Sequence, residues 1–87
     1  MRKRVVAHGR VQGVFFRDST RQRAEAAGVS GWVANRPDGT VEAVFEGDDD
    51  AVRRLVEWMN DGPRSASVNR IEVDDEEAEG LSGFDVR

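Results

Sequence analysis

Two runs of apolar residues at helical spacing interrupt a chain otherwise patterned like strands, and that order leaves few folds open. Phe16, Thr20, Ala24 and Ala27 recur at i, i+4, i+8 and i+11, one stripe of a helix that Gly28 then stops. Val52, Leu55, Val56 and Met59 repeat the theme at i, i+3, i+4 and i+7. Asp48 to Asp50 supply this second helix with an N-cap and a favourable charge at its start, and Gly62-Pro63 ends it.

Around these helices the apolar period is two. RVVAHGR (4–10) puts Val5, Ala7 and Gly9 on one face of a first strand. GWVANR (31–36) and TVEAVFE (40–46) form a hairpin pattern across Arg36-Pro37-Asp38-Gly39, where Pro second and Gly fourth fit a type I turn with a left-handed glycine. SVNRIEV (67–73) is a fourth strand, DDEEAEG reads as a solvated acidic loop, and GFDVR (83–87) as a short last strand. The βαββαβ order with a terminal strand predicts an α+β fold, the ferredoxin-like sandwich, with two helices on one face of an antiparallel sheet. A right-handed crossover makes strands one and two parallel, and strand three slots between them. The ends of strands one and two then open on the same sheet edge, so the loop from Arg10 to Phe16 can share a site with Asn35.

Eighty-seven residues make one domain, 1–87, with no room for a second core. The chain has no cysteine, which excludes disulfides, thiolate catalysis and Cys-based zinc sites. Its one histidine, His8, lies on the face opposite Val5 and Ala7, and a structural or solvent-facing place suits it best. No apolar run approaches the roughly 20 residues that span a bilayer, and no signal-peptide core follows Met1, so the expected location is the cytoplasm with no membrane partner. A net charge of −4 argues against general binding to nucleic acid backbones. Twelve of the thirteen cations are arginine, a bias equally open to a GC-rich genome or to adaptation to high salt.

The informative stretch is GRVQGVFFRDS, Gly9 to Ser19, which begins as a strand and ends as a helix. Gly9 and Gly13 permit backbone angles that turn successive N–H groups inward as an anion nest. The helix that follows adds free N–H groups and the positive end of its dipole. Arg17 in the first turn adds a planar fork matched to two phosphoryl oxygens. Together they describe a metal-free site for a tetrahedral oxyanion. A plain strand-to-helix turn with a surface arginine satisfies the same spacing, and neither nucleotide-loop motif, G-x-x-x-x-G-K-[ST] or G-x-G-x-x-G, is present. Asn35 either caps its own turn or holds a water through its amide. Asp18 and Ser19 read as satisfying first-turn N–H groups, and Arg10 and Arg36 as flanking positive charge. Trp32, Phe45 and Trp58 read as packing residues.

GRVQGVFFR (9–17) together with GWVANRPDGTVE (31–42) resembles both signature segments of the acylphosphatase family, and the resemblance extends over essentially the whole chain. It implies hydrolysis of the mixed anhydride of a carboxylic acid and phosphate, a small-molecule acyl phosphate being the substrate. It implies that Arg17 binds the phosphoryl oxygens, that the loop amides of Arg10, Val11, Gln12, Gly13, Val14, Phe15 and Phe16 cradle them, and that Asn35 orients the attacking water. Neither metal nor cofactor is implied, and a monomer is the expectation at this size. The alternatives are a non-catalytic phosphate- or metabolite-sensing module, or an RNA-binding sheet face; the latter is disfavoured by the negative charge and the lack of tyrosine.

Overall fold

Each stretch with strand spacing forms a strand, and each helical stripe a helix, in the computed structural model, which describes residues 1–87. The elements are β1 (Arg2–Arg10), α1 (Phe16–Ala26), β2 (Ser30–Asn35), β3 (Val41–Glu46), α2 (Asp49–Asp61), β4 (Ser67–Glu76) and β5 (Phe84–Val86). They build one sheet in the order β4-β1-β3-β2-β5, with β3 antiparallel to both β1 and β2 as expected. Ala43 stands opposite Val5 on one side and Val33 on the other, and all three are fully buried. α1 packs over β2 and β5, α2 over β1 and β4. Phe16, Phe45, Val52, Leu55 and Met59 fill the layer between helices and sheet. Each such side chain contributes about 1.5–3 kcal/mol by leaving water.

The sheet is mixed rather than wholly antiparallel, because β5 runs parallel to β2 with Gly31 beside Phe84 and Val33 beside Val86. The reason is directional. β4 ends beside the start of β1, so the connection from it arrives at the start of β2, and the next strand can only run along β2. Phe84 anchors the crossing by stacking on Phe45 at 5.9 Å between ring centres.

β4 also runs three residues into the supposed acidic loop. Asp74, Asp75 and Glu76 pair in register with Arg4, Lys3 and Arg2, so opposite charges face each other across the ladder. Arg2 Nε donates to Glu76 Oε1 at 2.9 Å, and Lys3 pairs with Asp75. A run of carboxylates looks like a solvated loop until the basic run it pairs with is placed beside it.

The helices start and stop close to expectation. Asp48 caps α2 by accepting from the Ala51 N–H at 3.4 Å. α1 ends at Ala26, so Ala27 is its exposed C-cap and not part of the buried stripe, which is Phe16, Thr20 and Ala24. The buried Thr20 hydroxyl donates to the Phe16 carbonyl at 2.8 Å. The hairpin turn closes as predicted, Gly39 N–H donating to the Arg36 carbonyl at 3.1 Å with Gly39 at φ +90°. No helix is long and apolar enough to cross a membrane.

The aromatic residues pack as expected. Phe45 is fully buried, Trp58 meets Phe16 at 5.6 Å and has Arg23 over its ring, and Arg87 covers Trp32. His8 does point away from Val5 and Ala7, and its Nε2 lies 2.7 Å from Glu72 Oε2.

Candidate active site

Beyond Arg10 the chain leaves β1, and Val11 and Val14 turn their side chains into the core. Those two anchors pin a short loop whose exposed residues are Gly13 and Phe15, with Gln12 half-buried. Gly13 takes φ +73°, and Phe15, at φ +63° and ψ +23°, is the one residue other than glycine in the left-handed region. The result is an unusual run of donors. None of the eight N–H groups from Val11 to Asp18 meets an acceptor within the protein; Ser19 is the first to donate, to the Phe15 carbonyl at 3.0 Å. α1 has no side-chain cap at its start. Asp18 does not supply one: its carboxylate accepts from Arg21 at 2.9 Å and Gln22 at 2.8 Å, one turn along the helix. The loop therefore leaves a run of free N–H groups at the positive end of the α1 dipole.

Arg17 stands in the first turn of α1, beside that run. It lines a cavity of about 350 Å3 with Gly13, Phe15, Asp18 and Val86. Its Nη1 donates to the backbone oxygen of Arg87 at 3.0 Å, which orients the guanidinium and leaves its remaining N–H groups available. Neither Arg17 nor the exposed Arg10 at the end of β1 pairs with an aspartate or glutamate side chain. Arg36 reaches Asp38 only at 3.9 Å. Bonds from the Thr40 hydroxyl and the Thr40 N–H hold the Asp38 carboxyl below its ordinary value. A larger open hollow of about 520 Å3 runs past Ser19, Trp58 and Arg64 and contains none of the expected site residues.

Asn35 is the last residue of β2, exposed, opposite Val41. Its amide does not cap the turn. Asp38 does that, accepting from the Thr40 N–H at 3.0 Å and the Thr40 hydroxyl at 2.6 Å. Nor is Asn35 a wall of the Arg17 cavity. The link between the two is Gln12, whose Nε2 donates to the Arg36 carbonyl at 2.7 Å and the Thr40 carbonyl at 2.9 Å. Of the expected loop residues, Gly13 and Phe15 share the Arg17 cavity. Val11, Val14 and Phe16 are buried and offer only backbone. Sequence reasoning missed three features: the Gln12 brace, the Arg87 oxygen on Arg17, and Val86 on the cavity wall. The closing GFDVR was legible as a strand, but its place beside β2 was not.

Comparison with known proteins places the chain. A family model described as Acylphosphatase matches residues 3–86. The acylphosphatase of Rubrobacter xylanophilus is 62% identical over 87 residues, covering 99% of this chain and 79% of that protein. That of Thermococcus kodakarensis is 57% identical over 88 residues, covering 97% of each. The solved structure of an acylphosphatase from Coxiella burnetii superposes with a TM-score of 0.94 at 41% identity, over 99% of this chain and 90% of that one. Because the match spans the donor-lined loop, the hairpin and the closing strand, the chain belongs to the acylphosphatase family of hydrolases.

Proposed function

We propose that this enzyme hydrolyses acyl phosphates at the loop between β1 and α1, with Arg17 and Asn35 as its catalytic residues. The observation that carries the reading is the run of unpaired backbone N–H groups from Val11 to Asp18 beside an arginine that no aspartate or glutamate side chain neutralises. Such donors fit the three non-bridging oxygens of a phosphoryl group, and they are already in place before the reaction begins. Arg17 supplies the forked contact and the net positive charge. Asn35, with an amide that no protein group occupies, holds a water in line with the phosphorus–oxygen bond to the acyl group. Water attacks phosphorus, the bond to the carboxylate oxygen breaks, and the carboxylate leaves with the electron pair. One proton of the water passes to a phosphoryl oxygen, giving carboxylate and dihydrogen phosphate. A carboxylate is a good leaving group, so positioning and charge stabilisation do most of the work.

In this reading residues 1–87 act as one domain, a monomer in the cytoplasm, and neither metal nor cofactor takes part. The sheet face away from the helices carries the contacts Arg4–Glu42 and His8–Glu72, whose basic side chains already have carboxylate partners, so an RNA-binding role is not favoured. Benzoyl phosphate hydrolysis, followed by ultraviolet absorbance with EDTA present, tests the reading. Wild-type turnover should be insensitive to EDTA and fall about 10²–10³-fold in Arg17→Ala. Arg17→Lys should rescue poorly, since an ammonium cannot form the fork. Wild-type turnover no faster than Arg17→Ala would leave a phosphate-sensing module instead.

A further inference from the structure

The loop holds one residue that neither the core nor the phosphoryl cradle explains. Phe15 is 78% exposed, so its ring contributes almost nothing to the hydrophobic core. Its backbone nevertheless sits at φ +63°, where a bulky side chain costs about 1–3 kcal/mol. Glycine would adopt that conformation freely, as it does two residues earlier at Gly13. A strained, exposed aromatic residue at the mouth of a site points to a ligand for its ring. A second, independent observation agrees. Only three large apolar side chains are exposed on the protein, Phe15, Val73 and Val86, and two of them line the single cavity that contains Arg17. They come from opposite ends of the chain, one from the loop before α1 and one from β5.

We propose that Phe15 and Val86 form the acyl-side wall of the Arg17 cavity and select phosphates of uncharged, apolar carboxylic acids. The inference rests on the acyl phosphate reading above and specifies its unassigned half. With the phosphoryl group held by the loop amides and Arg17, the acyl group projects into the rest of the same cavity. There it meets the Phe15 ring and the Val86 methyl groups. The remaining wall is Asp18, whose carboxylate is bound by Arg21 and Gln22 and offers no partner to a second anionic group on the substrate. An aromatic or branched acyl group covers both apolar side chains, acetyl covers little of either, and a carboxylate-bearing acyl group loses water there without compensation.

Three substrates and three variants test this: acetyl, benzoyl and succinyl phosphate, with wild type, Phe15→Ala, Phe15→Leu and Val86→Ser. Comparing each variant's benzoyl-to-acetyl ratio of kcat/KM with the wild-type ratio cancels both the intrinsic reactivity of the substrates and any general disturbance of the loop. The ratio should fall about tenfold in Phe15→Ala and about threefold in Val86→Ser, and Phe15→Leu should keep most of it. Succinyl phosphate should be the poorest wild-type substrate of the three. An unchanged ratio in both Phe15→Ala and Val86→Ser, or a wild-type preference for succinyl phosphate, overturns the acyl wall while leaving acyl phosphate hydrolysis standing. A wild type inactive on all three overturns the parent reading and the wall together.

Discussion

Asn35 and Gly31 sit on the same strand and show two different demands on a single side chain. The Asn35 amide is spare because Asp38 holds the turn, so removing it should disturb the reaction and not the fold. Asn35→Ala should lower kcat about a hundredfold while inhibition by inorganic phosphate stays within about a factor of two. Loss of phosphate inhibition in that variant would move Asn35 from the water to the phosphoryl group. Gly31 is constrained by space. It takes φ +141°, and a Cβ built there would lie 1.8 Å from the Val44 carbonyl oxygen on β3. Gly31→Ala should therefore cost about 3 kcal/mol or more, read as a lower urea midpoint with activity per folded molecule retained. The sequence shows that Gly31 lies in a strand, but the approach of a neighbouring carbonyl leaves no mark in a pattern of apolar spacing.

The loop and the β2–β3 hairpin reach their working geometry as a pair, and Gln12 is the clamp between them. Its amide ties two hairpin carbonyls to the loop, one on each side of the turn. Gln12→Ala should destabilise the protein by about 1–2 kcal/mol, the ordinary worth of two such bonds. If Asn35 positions the attacking water as proposed, the change should also reduce kcat by about tenfold, more than it weakens phosphate inhibition, because Asn35 would drift relative to the loop. An unaltered kcat beside a lower melting temperature would make the clamp purely structural. The elements themselves were legible in the sequence, since the change of period at Phe16 and the Pro-Asp-Gly turn are local signals. What those elements touch was not. β4 looked three residues shorter because its acidic end pairs with Arg2, Lys3 and Arg4, some 70 residues earlier. Gln12 looked like one more loop amide because its acceptors are carbonyls, which every residue has.

At the end of the sheet away from Arg17, a second run of backbone donors has a built-in anion. The Glu46 carboxylate accepts from the N–H groups of Glu79, Gly80 and Leu81 at 2.8–2.9 Å, with Arg2 at 3.4 Å. These bonds, the one from the Glu79 N–H foremost, hold the Glu46 carboxyl below the ordinary 4.5. Bonding from His8 lowers Glu72 in the same direction. Carboxyls depressed in the folded state bind fewer protons than in the unfolded chain, so their stabilisation is complete above about pH 4.5 and fades as pH falls through their lowered values. Urea midpoints measured from pH 7 to pH 3 should drop at the acid end. Glu46→Gln should be less stable at pH 7 and show a shallower acid decline. An equally steep decline in that variant would assign the acid sensitivity to other groups.

The strand order has a kinetic consequence as well. The outermost pairing joins the first strand to the fourth, with Arg2 bonded to Glu76 across a separation of 74 residues. Every link of the sheet except the β2–β3 hairpin must be found over a long intervening segment, and each such closure spends chain entropy before any contact returns it. A chain of this size built from local helices could fold in microseconds, but this topology sets the search in milliseconds to seconds. Trp32 and Trp58, held on different layers beneath Arg87 and Arg23, give that search two built-in fluorescent reporters.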